Sequence, residues 1–347
     1  MQTLWFAFAA AMIAIYVVMD GFDFGAGALH LWVARTDTER RTVLGAIGPF
    51  WDGNEVWLLA TGGVLLLAFP RALGAGLSGF YLAIMMVLWV LILRGVAIEF
   101  RSHLADTLWR QFWDGVFASS STLAPVLLGA ALGNVIRGVP LGADGWFTLP
   151  LFASFLPTGM LGILDWYTVL AGALAAVALT HHGALFLAWK TRGPVRDRSL
   201  TAARRLYPAL IALWLLATAA TARLVPSIVV ALAVRPVAWV ATAAFVAGLV
   251  ASGVLRRQGH DLGAFVASGA FIVGLLGATA ACVYPTLIRA VPDATRSLTA
   301  FNASASAHAL RTGLWWWPLG FVLAVGYATL VFRLHRGKVN DVKETGY

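Results

Sequence analysis

The sequence predicts an all-α membrane protein, with about nine transmembrane helices arranged as two four-helix bundles plus one peripheral helix. Three observations carry that expectation. The chain is 60% hydrophobic, with a mean hydropathy of +0.80. Only 12% of its residues are charged, against roughly 25% in a soluble domain. Its apolar residues gather into runs near the length of about 20 that spans a bilayer as helix, and the charges fall between those runs.

Taken in order, the expected spans are 5–24, 53–70, 78–98, 115–136, 164–189, 203–221, 237–255, 263–284 and 315–332. The apolar stretch 225–234 is too short to cross and is expected to be a loop or a re-entrant turn. No Lys or Arg precedes Arg35, so the basic leader of a signal peptide is missing and 5–24 reads as a retained first span. The organisation expected is an N-terminal bundle over 1–140, a second bundle with an outer loop over 141–310, and a last span with its tail over 311–347. Basic residues concentrate in the loops after spans 1, 3, 5 and 7 and in the tail. That bias puts the N-terminus outside and the C-terminus in the cytoplasm. It also accounts for the net charge of +9 without a nucleic-acid partner. Cys282 is the sole cysteine, which excludes an internal disulfide and a cysteine metal cluster.

Nine of the 16 acids lie between Asp20 and Asp114, so the chemistry is sought there. Asp20, Asp23, Gly27 and His30 recur at helical spacing on one face, and Gly21, Gly25 and Gly27 offer a surface that a second helix can approach closely. Either the acids face a protein interior and exchange protons, or span 1 ends at Asp20 and they sit in water. A carboxylate deep in a membrane costs about 2.5–3.5 kcal/mol, so the first reading demands a function. Asp52 and Glu55 share the first turn of span 2, flanked by Trp51 and Trp57, with Asn54 beside them. Asp52 also suits an ordinary helix cap before Gly53. Arg94 closes span 3 ahead of Glu99, Asp106 and Asp114, where it either pairs with one of these acids or snorkels to the interface. Together these groups suggest an acidic funnel at the cytoplasmic mouth of spans 1 to 4.

Haem ligation fits poorly. Of the seven histidines, only His181 and His182 fall inside an expected span, and as neighbours they point to different faces. A proton-coupled secondary transporter remains a rival, although acids gathered near one face count against a midplane coupling site.

The segments Asp20-Gly21-Phe22-Asp23-Phe24-Gly25, Asp37-Thr38-Glu39-Arg40-Arg41, 48–57 and 94–101 resemble those of subunit II of cytochrome bd-type quinol oxidases. The resemblance is dense over 1–140, including Gly133-Asn134 and Arg137-Gly138-Val139-Pro140. Further on it rests on the span pattern and on Phe301-Asn302-Ala303-Ser304. The Trp315-Trp316-Trp317-Pro318 ending is similar to the cyanide-insensitive branch. The resemblance implies a bacterial inner-membrane protein paired with a haem-bearing subunit I. That partner would carry b-type haems, a d-type or substitute b-type haem, and the quinol site. This chain would ligate no haem iron; some members hold a structural quinone, and a small single-helix subunit and membrane lipid are further expected partners. By matching position, Asp52, Glu99, Asp20, Asp23 and Asp114 would belong to the proton pathway, Trp57 to the dioxygen route, and Arg94 would be their charge partner. Glu99 stands where many members have an aspartate.

Overall fold

The computed structural model describes residues 1–339, so the end of the expected cytoplasmic tail, 340–347, lies outside the described residues. Twelve α-helices build it: α1 (Gln2–Val33), α2 (Asp37–Ile47), α3 (Trp51–Ala68), α4 (Pro70–Gly79), α5 (Tyr81–Phe100), α6 (Thr107–Arg137), α7 (Trp166–Lys190), α8 (Gly193–Leu224), α9 (Pro226–Val234), α10 (Pro236–Arg257), α11 (Asp261–Val283) and α12 (Ala307–Leu334). Two short strands, β1 (Thr286–Ile288) and β2 (Leu298–Thr299), pair antiparallel in the connection before α12.

Eight of the helices are long and apolar enough to cross a membrane. α3, which has 18 residues and carries Asp52 and Glu55, also runs from one end of the molecule to the other. Contacts at the two ends of the molecule require it. At one end, Arg101 after α5 bonds Asp37 of α2 at 2.8 Å, and Lys190 of α7 donates to the His335 carbonyl at 2.6 Å. At the other, Thr3 and Tyr284 hydroxyls meet at 2.7 Å, and the Ala305 N–H donates to the Ala68 carbonyl at 2.9 Å. A chain that leaves α2 at the first end and reaches Ala68 at the second has traversed the body.

Each expected span coincides with a helix, eight of them of membrane-crossing length and composition, and most are longer than their apolar cores. α1 continues nine residues past Phe24, and α6 starts at Thr107, because polar residues facing protein extend a helix that hydropathy alone would end. The stretch 225–234 is helical rather than a loop. It forms α9, opened by Pro226 in its first turn, where a missing N–H costs nothing. α2 is fixed by a capping box in which Thr36 accepts from the Glu39 N–H and Glu39 from the Thr36 N–H.

α1 is the hub, packing against α3, α6, α7 and α11. Its glycines make that closeness attainable. A Cβ on Gly25 would sit 2.1 Å from the Leu179 carbonyl oxygen, and one on Gly27 would sit 2.1 Å from the Ser121 hydroxyl. Gly25 therefore seats α7 and Gly27 seats α6. α12 is peripheral: it packs chiefly against α3 and buries only Leu310 and Gly313.

Candidate functional site: buried carboxylates around one arginine

Asp20 and Asp23 lie well inside α1, with Asp20 about 20 Å of helix from its Val33 end. Both are fully buried. α5 supplies Arg94, whose Nη1 donates to Asp20 Oδ1 at 2.6 Å and whose Nη2 donates to Glu55 at the start of α3. The same guanidinium lies over the Phe24 ring, 4.2 Å from its centroid. Asn54, next to Glu55, donates to Asp23 Oδ2 at 2.7 Å and to the Met19 carbonyl at 3.0 Å. Three carboxylates thus share one guanidinium and one amide. Asp20 Oδ2, Asp23 Oδ1, Arg94 Nε and the Tyr16 hydroxyl have no protein partner among the described residues. Buried polar atoms left this way call for water or an exchangeable proton to complete them. The cluster opens at Glu55, which is half-buried, towards exposed Asp52 one turn away.

A second cluster sits at the α2 end. Asp114 of α6 accepts from His30 Nε2 at 2.6 Å, from Arg101 Nε at 2.5 Å and from Arg40 Nη1 at 2.8 Å. Asp37 accepts from Arg41, Arg101 and Arg110. Partial burial works against the charged form of Asp37, but the Arg41 and Arg101 guanidiniums outweigh it and hold the carboxyl below its usual range.

The expected residues therefore separate. Asp20, Asp23, Glu55 and Arg94 converge in one buried cluster, while Asp114 belongs to the other. Asp52 and Glu99 are exposed on the surface of this chain. Trp57 is buried, with its ring 5.9 Å from Phe321 of α12. Four expectations are corrected. The acids do not form a single funnel at one mouth, because α1 runs on past Phe24 and carries Asp20 and Asp23 into its interior. Arg94 neither snorkels nor pairs with Glu99, Asp106 or Asp114; being wholly buried, it takes the carboxylates that α1 and α3 present at its depth. Asp52 does not cap α3, since Phe50 holds the cap position and Asp52 falls inside the first turn. His30 joins His181 and His182 inside a membrane-length helix.

Sequence reasoning missed the pairing of His30 with Asp114 and the part played by Arg101. The spacing of Arg94 and Arg101, seven residues apart on one face, was a signal for the latter. It also missed the buried ion pair of Arg137 with Asp165 at the opposite end.

His181 and His182, the two histidines of the expected spans, are packed into the protein interior. His182 engages both ring nitrogens, with Ser268 at 2.6 Å and the Val18 carbonyl at 3.1 Å. His181 meets the Ala203 carbonyl at 3.2 Å and packs beside the Tyr207 and Phe271 rings. Both side chains are fully enclosed by protein, and His181 Nε2 has no hydrogen-bond partner among the described residues.

Comparison with known proteins agrees with this architecture. Cytochrome bd-I ubiquinol oxidase subunit 2 of Escherichia coli K12 is 34% identical over 204 residues, covering 59% of this chain and 52% of that protein. Cytochrome bd ubiquinol oxidase subunit 2 of Bacillus subtilis is 32% identical over 206 residues, covering 59% and 58%. The matched region thus spans a little over half the length of these curated relatives. A chain in the structure of bd oxidase from Geobacillus thermodenitrificans superimposes with a TM-score of 0.74 over 96% of this chain and 98% of that one, at 18% identity, which establishes the shared fold. The profile of Cytochrome bd terminal oxidase subunit II matches residues 1–335, nearly the whole length, and this protein therefore belongs to that family.

Proposed function

We propose that this chain is the non-haem-ligating subunit of a heterodimeric bd-type terminal oxidase in the bacterial inner membrane. The reaction is oxidation of two quinols coupled to four-electron reduction of dioxygen to two waters. Haems of b and d type, or a b-type substitute, reside in the partner subunit I. In the complex these haems supply the electron transfer and the oxygen chemistry. A structural quinone, a small single-helix subunit and bound lipid accompany the assembly in this reading.

The observation that carries the proposal is the cluster of Asp20, Asp23 and Glu55 around Arg94. One cation for three acids leaves the group able to take up and release a proton, and its open side at Glu55 and Asp52 faces outward from this chain. In the orientation favoured by the basic loops, the α2 end is cytoplasmic and the N-terminus periplasmic. Protons consumed in making water then enter from the α2 side through Asp52 and Glu55. Asp114, in the separate α2 cluster, and Glu99, on the surface, serve the proton pathway at the same end in this reading. Trp57, packed under α12, guards a dioxygen route.

The mid-helix depth of Asp20 and Asp23 is also what a proton-coupled transporter would need. Purification in mild detergent followed by a reduced-minus-oxidised spectrum separates the two. The oxidase reading expects a haem-bearing chain of comparable size to co-purify, with b-type bands. A colourless chain that purifies alone would sink it.

A further inference from the structure

Away from the cluster of Asp20, Asp23 and Glu55, the α2 end of the molecule holds a cavity of about 250 Å³ lined by Arg35, Asp37, Arg40, Arg101, Thr107 and Arg110. Its charges do not balance. Four guanidiniums, those of Arg35, Arg40, Arg101 and Arg110, line it with one carboxylate, Asp37, while Asp114 lies behind Arg40 and Arg101. Asp37 is taken by Arg41, Arg101 and Arg110, and Asp114 by Arg40, Arg101 and His30. The nearby acids are engaged elsewhere: Glu39 accepts from Arg198 and from the Arg35 and Thr36 N–H groups, and Asp106 from the Trp109 N–H.

The second observation is an unfinished donor. Arg101 is 2% exposed, lines the cavity, and its Nη1 has no partner among the described residues; Arg40 Nε is also unpartnered. A buried cationic donor without an acceptor is expensive, so an oxyanion is the group that the cavity lacks. Guanidinium forks match phosphate oxygens in pairs, and the amino termini of α2 and α6 both meet the cavity through Asp37 and Thr107.

We infer that this cavity binds a phosphate-class anion on Arg35, Arg40, Arg101 and Arg110. Free phosphate and an anionic phospholipid headgroup present the same chemistry. The position at one end of the membrane-crossing helices is within reach of either. The inference is independent of the quinol-oxidase reading, because it rests on the α2 cluster alone.

The test is native mass spectrometry of the delipidated full-length protein, with whatever chains it carries. It is titrated separately with inorganic phosphate, short-chain phosphatidylglycerol and short-chain phosphatidylcholine. One saturable equivalent of phosphate or phosphatidylglycerol is expected. Phosphatidylglycerol binding about tenfold or more tighter than phosphate identifies a headgroup site, and equal binding identifies a free-anion site. The double variant Arg35→Gln/Arg110→Gln weakens either one about tenfold or more. Arg35→Gln alone, which removes no ion pair to Asp37 or Asp114, keeps the test readable if the double variant fails to fold. The proposal is overturned if no saturable binding occurs, if phosphatidylcholine binds as tightly as phosphatidylglycerol, or if folded variants bind like the unmodified protein.

Discussion

Arg94 sets the balance of the buried cluster, because among the described residues it alone brings positive charge to Asp20 and Glu55. Removing one member of a buried pair strands the other, at a cost of about 3–5 kcal/mol. Arg94→Met is therefore expected to lower the thermal unfolding temperature sharply, and Asp20→Asn in the same background to recover part of the loss. A double-mutant cycle on the purified protein checks this; strictly additive effects would show that the two residues do not interact. The residue types were legible in the sequence, since acids and an arginine beside apolar runs stand out against the hydropathy pattern. Their partners were not. Arg94 has three acids close by in sequence and bonds none of them, because pairing at this depth depends on which helices are neighbours.

At the scale of elements, the glycines of α1 decide how tightly the hub can be gripped. A Cβ on Gly183 of α7 would sit 2.4 Å from the Gly25 carbonyl carbon, backbone against backbone, so no rotamer relieves it. Gly183→Val is expected to destabilise the protein by about 1–3 kcal/mol or more, read as lower yield and unfolding temperature. Wild-type stability would mean that α1 and α7 do not cross so closely. The small-residue face of α1 was visible in its sequence. That Gly25 and Gly27 seat different helices was not, since the two residues alone do not say how many neighbours α1 has.

α2 makes a prediction of another kind. The folded value of Asp37 lies below its ordinary 3.8, so its contribution is complete above that value and lost as pH falls through the folded one. Glu39 behaves likewise: burial opposes its charge, but the Arg35 N–H and Arg198 outweigh it. Acidification from about pH 6 towards about pH 3 should lower the unfolding temperature, and Asp37→Asn should flatten that decline. An identical pH profile in the variant would remove Asp37 from the stability of this end. α2 itself went unread in the sequence because hydropathy finds crossings, and an amphipathic helix lying outside them has no such signature.

For the whole molecule, hydropathy yielded the class and the crossings, because lipid forces every backbone polar group into helix and lets few charges through. It could not separate the acids into two clusters, since that depends on helix ends that polar, protein-facing residues extend. Trp57 offers a functional check at this scale. Under the proposed oxygen route, Trp57→Ala changes the apparent oxygen affinity more than the apparent quinol affinity, and the reverse pattern counts against that role.

The central claim is that a proton moves through the buried carboxylates of this chain during turnover. Its most direct test is quinol-driven oxygen consumption by the purified complex carrying Asp23→Asn, at matched haem content and across a pH series. The account predicts turnover slower by about tenfold or more at neutral pH, the scale on which losing a proton-transfer group acts. Wild-type rates at every pH, with haem intact, would contradict it.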